Sequence, residues 1–301
     1  MPDLGGVPID PSDEAALQAA LQKRIPDQAA YQRLLASVQA GTACMADIAA
    51  FAERPYGTVL LHRPAGFFPA ADLAPGPRSA GEKAARQAVD AGACAADLSS
   101  LHVLGLLADD DRLRIRSALP SLTVARSAVD DALLTRDHVR NLSAATYTAS
   151  LAPDGIIDRT TITTTEQGLL RTRAETLETI TAAAHAGRPT TPVAAAADAI
   201  AVTRENQLPL WCDDIALRQK ARMAGVATFS LLDLITVLAA DGTALGQSAT
   251  FRRLAGQYVV DLPLSAADIT AIIADAGWQP GPAHAALARS AGFLFAESVS
   301  A

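Results

Sequence analysis

The chain has 301 residues, half of them apolar and only 4% aromatic, with a formal net charge of −7. That length holds one large domain or two ordinary ones with a sizeable core, and the acidic balance excludes a protein that coats nucleic acid by bulk charge. The three cysteines are dispersed, with no CxxC pair, which excludes a zinc ribbon or a disulfide framework.

Residues 1–63 read as a helical leader with one strand. The start lacks the basic and apolar regions of a signal peptide, and no apolar run approaches a membrane span. A cytoplasmic protein without a membrane partner is therefore expected. Ser12 or Asp13 caps a first helix. A second runs to Gly41, and MADIAAFAERP forms a third that stops at Pro55. The run from Gly57 to His62 predicts a strand. Residues 64–82 are rich in Pro, Gly and Ala without periodicity, and read as a linker.

From 83 to about 245, strand and helix patterns alternate. AGEKAARQAVDAG is helical, and ACAAD is a small-residue strand that ends at Asp97. LSSLHVLGLLADDD predicts one helix, with the Asp109–Asp110–Asp111 run as solvated loop. Leu122 to Ala125 predicts a strand, followed by the helix SAVDDALLTRDHVRNLSAA. Residues 143–190 read as an insertion, with an Ile- and Thr-rich hairpin around Gly155 and the helix LLRTRAETLETITAAAHAG. A further helix begins near Pro192. LPLWC then reads as a buried strand, followed by Asp213, Asp214 and a helix closed by Gly225, with VATFS as the next strand. Residues 246–301 add the strand GQYVVDLPL, a helix capped by Ser265, and a last helical run. The alternation predicts a three-layer α/β/α sandwich with a mostly parallel sheet, extended by mainly helical additions at both ends.

In a parallel sheet the carboxyl ends of the strands share one edge, where ligands bind. Asp97, Asp213 and Asp214 fall at that edge. Asp130 and Asp131 lie on the helix after the second strand, Asp198 lies on the helix before LPLWC, and Asp233 is an additional member. Clustered carboxylates repel unless a cation neutralises them, and hard oxygen ligands suit Mg²⁺ or Mn²⁺. One or two such ions activate water and hold the oxygens of a phosphodiester.

Over residues 89–240 the chain resembles the PIN domain, a metal-dependent ribonuclease-like family. The resemblance is carried by CAADLSSLHVLGLL, by LTVARSAVDDALL, and most specifically by WCDDIALRQKA within AADAIAVTRENQLPLWCDDIALRQKARMAGVATF. It implies Asp97, Asp131, Asp198 and Asp214 as catalytic and metal-binding acids, with Asp130, Asp213 and Asp233 as secondary members. Mg²⁺ or Mn²⁺ would be the cofactor and RNA the substrate, with Arg126, Arg218 and Arg112 on its backbone. The chain departs from the family by an Asp where Glu is usual at the second acid, and by Cys212 and Asp213 before the fourth.

Two other readings stand beside the nuclease. One is a catalytically degenerate PIN-like domain serving as an interaction or regulatory module, in a homo-oligomer or a larger helical assembly. The other is an α/β hydrolase with Asp97 as nucleophile. Each acid also has a structural role open to it, because Asp97, Asp130 and Asp214 lie at or near helix N-termini, where Asp is favoured as a cap. Adjacent strand residues face opposite sides, so one of Asp213 and Asp214 faces the crevice. Asp214 is assigned there, with Asp213 as helix cap or outer partner.

Overall fold

The structure is a computed structural model that describes residues 28–62, 68–69, 75–142, 147–151, 157–161, 163–187, 195–243, 245, 247–257, 259–260 and 262–275, with 15, 16 and 19 besides. The expected first helix falls largely, and the last helical run wholly, outside the described residues.

The leader forms α1 (Gln28–Gln39), α2 (Met45–Phe51) and α3 (Tyr56–His62), and β1 (Phe68–Pro69) follows. The central part contains α4 (Pro75–Ala91), β2 (Ala93–Ala96), α5 (Leu98–Leu106), α6 (Asp109–Ala118), β3 (Ser121–Ala125) and α7 (Arg126–Leu142). The hairpin strands β4 (Tyr147–Leu151) and β5 (Ile157–Thr161) come next, then α8 (Thr164–Ala182) and β6 (His185–Gly187). The chain continues through α9 (Ala195–Asn206), β7 (Leu210–Trp211), α10 (Ile215–Met223), β8 (Thr228–Phe229) and α11 (Leu231–Ala240). It closes with α12 (Gln247–Ala255), β9 (Val259–Val260) and α13 (Ala266–Asp275).

The molecule is a mixed α/β protein built on a five-stranded sheet in the order β6-β3-β2-β7-β8, with every pairing parallel. The chain builds β2, β3 and β6 outward on one side, then crosses back to lay β7 and β8 on the other. The order reverses between β2 and β7, which makes their carboxyl ends the crevice of the sheet. Strand β1 pairs in parallel with β9, tying the residues after the leader to the tail.

Alternation along the short strands feeds two apolar clusters. Cys94, Ala96, Leu122, Val124, Trp211 and Phe229 belong to the larger one, with residues of α3, α4, α5 and α11. Ala95, Leu210 and Cys212 belong to the other, with Ala199 of α9 and Ala216, Leu217 and Ala221 of α10. Period-2 strands with both faces buried read as continuous apolar runs, as LPLWC does.

Several elements depart from the sequence reading. The run from Gly57 to His62, expected as a strand, lies in α3. A six-residue apolar run cannot be told from a buried helix by periodicity, and here Asp131 fixes the helical start. Its carboxylate accepts from the backbone N–H groups of Tyr56 and Gly57, both at 2.7 Å. The stretch after Asp97, expected as one helix, breaks at Leu107 and Ala108 into α5 and α6. Asp109, Asp110 and Asp111 form the first turn of α6 instead of a loop, where acids complement the helix dipole. Asp111 is buried there and accepts from the Thr250 hydroxyl at 2.5 Å. Helix α4 begins at Pro75, inside the stretch read as linker. The hairpin starts at Tyr147, before the Gly155 region, and β6 has no counterpart in the sequence reading.

Candidate functional site

Asp97 follows β2 directly and is the N-cap of α5. One oxygen accepts from the Ser99 N–H at 3.0 Å. The other accepts from the Ser99 hydroxyl at 2.6 Å, the Ser100 N–H at 3.2 Å and the Ser100 hydroxyl at 3.0 Å. Across the reversal of strand order, the Ser99 hydroxyl oxygen accepts the backbone N–H groups of Asp213 at 3.1 Å and Asp214 at 3.2 Å. One side chain thus joins the ends of β2 and β7.

Asp213 and Asp214 turn opposite ways. Asp213 accepts from the Trp211 indole N–H at 3.0 Å and from the Leu231 N–H at 2.8 Å, at the start of α11. Asp214 is the N-cap of α10, accepting from Leu217 N–H at 3.1 Å. Its second oxygen accepts from Met45 N–H at 2.7 Å, at the first turn of α2. The cap expected at Asp213 is therefore at Asp214, because Asp214 is the residue whose geometry leads into α10. All three acids are buried, with exposures of 3% for Asp97, 0% for Asp213 and 4% for Asp214.

Burial raises all three carboxyls. Asp213 is pushed up to about 7 and Asp214 to about 6, with hydrogen bonds from backbone N–H groups opposing the shift. The Asp97 charge raises both further, and the Arg218 guanidinium lowers both. Asp97 is itself raised by burial, against the bonds from Ser99 and Ser100. Burial and then the negative fields of Asp97 and Asp214 push the Tyr56 phenol well above its ordinary value. Its hydroxyl is buried and has no hydrogen-bond partner among the described residues. Burial, with Asp97 and Asp214, likewise raises the Cys212 thiol, and burial with Asp214 takes Cys44 to about 12. These thiols stay protonated and unreactive at neutral pH.

The remaining predicted residues lie in other settings. Asp131 anchors the start of α3, and also accepts from the Thr135 hydroxyl at 3.3 Å. Asp198 is buried in the first turn of α9. Asp130 pairs with Arg126 at 2.9 Å, both about half exposed, and Arg112 pairs with Asp109 at 2.5 Å. Asp233 closes a capping box with Ser230 at the start of α11. Arg218, expected on an RNA backbone, is fully buried and donates from Nη1 to the Cys212 carbonyl at 2.7 Å.

Sequence reasoning missed Tyr56, Met45 and the bridging role of Ser99. Two signals were present: hydroxyls two and three residues after an N-cap Asp, and a basic residue four positions after Asp214 in an otherwise buried helix turn.

A divalent ion needs converging oxygens with free lone pairs. Here the strand-end carboxylates accept from the chain's own N–H and O–H groups. Among the described residues, no group of three or more His, Cys, Asp or Glu side chains is arranged to hold a metal ion. As arranged, Asp213 and Asp214 turn to different elements and, with Asp97, do not present a converging set of oxygens for Mg²⁺ or Mn²⁺ among the described residues. Among the described residues, no helix is long and apolar enough to cross a membrane. No protein-family model matches the chain, and neither a curated protein nor a solved structure matches it.

Proposed function

We propose that the chain is a PIN-like α/β/α sandwich whose strand-end acids are structural, and that it serves as an interaction or regulatory module. The observation that carries this is the buried, hydrogen-bonded state of Asp97, Asp213 and Asp214 beneath α2 and α3. A hydrolytic metal needs room for water and for a phosphodiester. The PIN-like part of the reading is supported by the order of acids and elements: Asp97 after β2, Asp131 on the helix after β3, Asp198 on the helix before β7, and Asp214 after β7.

The covering helices are part of the core. Met45, Ile48, Val59 and Leu60 are each no more than 4% exposed. Burying such side chains stabilises by about 1.5–3 kcal/mol each. The sum rivals the whole stability of a domain, about 5–15 kcal/mol. Lifting these helices to admit RNA is therefore close to unfolding. The partner is a protein surface, a second copy or a larger helical assembly, and the exposed Leu113, Leu134, Leu169 and Met223 are apolar side chains available to it.

The test is a cleavage assay of the purified full chain on a mixed RNA pool with Mn²⁺, beside Asp97→Asn and Asp214→Asn. All three proteins are expected to give the same background. Cleavage by the unsubstituted chain that both variants lose would overturn the proposal.

A further inference from the structure

The sheet has a second edge. At the amino ends of β7 and β8, opposite the strand-end acids, lies an open cleft of about 660 Å³, within the size range of small-molecule sites. Three helices end around it: α4 at Ala91, α9 through its last turn, and α10 through the Ala224–Ala227 segment that follows it. Leu208, Pro209 and Val226 line it with apolar surface. Gln87, Arg204 and Gln207 line it with exposed polar side chains, and none of the three is tied by a hydrogen bond or ion pair to another described residue. Helix C-termini carry partial negative charge, which by itself favours a cation. Here that field is blunted, because the last carbonyls turn back onto the chain. Those of Thr203 and Arg204 accept from the Leu208 N–H at 3.2 Å and the Gln207 N–H at 3.3 Å. Those of Ala221 and Arg222 accept from Val226 at 3.0 Å and Gly225 at 2.9 Å. The Thr203 hydroxyl is engaged as well, donating to the Ala199 carbonyl at 2.6 Å. What the cleft offers is a set of donors: Arg204 is its only charged lining residue, and the two Gln amides add N–H groups.

Gln207 adds a second, independent sign. Helices α4 and α10 are followed by Gly92 and Gly225 at φ of 61° and 78°, a conformation that favours glycine. Helix α9 is followed by Gln207 at φ of 54°. A polar side chain is thus kept where the backbone prefers none, and it lines the cleft. We propose that this cleft binds an amphipathic carboxylate, an organic acid with an apolar tail. Arg204 pairs with the carboxylate, since a guanidinium fork matches its two oxygens, and the Gln207 amide donates to it. The tail covers Leu208, Pro209 and Val226. The site lies away from the strand-end acids and does not depend on how they are read.

The test is an NMR titration of the ¹⁵N-labelled full chain with hexanoate at neutral pH, beside hexanamide, which has the same tail and no charge. Hexanoate is expected to shift the Gly225 and Ala227 backbone amides and the Gln87 and Gln207 side-chain amides saturably, with a dissociation constant on the order of 1 mM. Hexanamide on the unsubstituted chain, and hexanoate on Arg204→Gln, should each bind about tenfold more weakly. Gln207→Gly separates recognition from folding. It should raise the urea midpoint by relieving the left-handed backbone, yet weaken hexanoate by about threefold. N-acetyl-leucine, which carries the carboxylate of a chain terminus, assigns the source. Tighter binding than hexanoate supports the proposal with a peptide C-terminus as ligand, and weaker binding supports it with a free organic acid. The absence of saturable shifts at these amides overturns the proposal. So does equal affinity for hexanamide, undiminished hexanoate binding by Arg204→Gln, or a Gln207→Gly that binds hexanoate as the unsubstituted chain does.

Discussion

Asp213 and Asp214 are adjacent in sequence and opposed in space, and their titration carries a measurable consequence. Their folded values of about 7 and about 6 lie above the ordinary value of 3.8. The folded state therefore keeps protons that the unfolded chain releases, and stability falls wherever that difference exists. The contribution is full below about pH 4 and is lost as pH rises through about 6 to 7. His62 acts the other way: burial, then the charges of Arg54 and His138, holds it at about 4, below its ordinary 6.5. Its contribution is present above about pH 6.5 and is lost as pH falls toward 4. Comparison with Asp213→Asn isolates the acid. Urea midpoints of the unsubstituted chain should drop between about pH 6 and about pH 8, and Asp213→Asn should flatten that drop. An unchanged slope in the variant would place the Asp213 carboxyl at an ordinary value.

The positions of these acids were legible in the sequence, since Asp97 and Asp213–Asp214 each follow a short apolar run. Their use was not. A carboxylate that caps a helix and one that binds a metal are the same residue in the same place. In the structure, donors to these acids arrive from Met45 and Leu231, outside the short runs in which the acids are read. Arg218 was misplaced for a related reason: a basic residue in an amphipathic helix reads as solvated, and only packing shows it turned inward.

At the scale of elements, α3 and α7 decide how the leader sits on the sheet domain. Asp131 holds Tyr56 and Gly57, and Leu61 packs with Val139 and Ala174. Between these contacts the two helices approach closely at Gly57. A Cβ added there would lie 2.4 Å from the Thr135 Oγ1 and 3.1 Å from its Cβ and Cγ2. Gly57→Ala should destabilise by about 1–3 kcal/mol through overpacking. Adding Thr135→Ala, which removes the nearest atom, should recover part of the loss. Additive losses in urea denaturation would show that the helices do not meet as described.

Helices with caps and clear stops were the most legible elements. Gly41 and Gly225 end α1 and α10 with φ of 72° and 78°, a conformation that favours glycine. Strand β6 was illegible because His185–Gly187 is three residues long, carries no alternation, and gains strand geometry only from pairing with Thr123–Ala125. Helix α3 was misread because an apolar run buried all round has no period to display.

For the whole molecule, the sheet order puts β2 beside β7 and so brings together acids more than a hundred residues apart. The leader then occupies the crevice this creates. Met45 lends its N–H to Asp214, and the Tyr56 N–H is held by Asp131. The same two helices contribute Met45, Ile48, Val59 and Leu60 to the larger core cluster. Parallel sheet and cover thus share one apolar core, with the three acids buried and hydrogen-bonded beside it.

Native-state hydrogen exchange at the Met45 amide reads this arrangement directly. That N–H is bonded to Asp214 at 2.7 Å, and it exchanges only when α2 leaves the cluster. If the cover is integral, its opening free energy equals that of the β2 and β7 amides and tracks global stability in urea. Exchange through a local opening several kcal/mol below the global value would contradict the account, because the acids would then be open to solvent and metal in the folded protein.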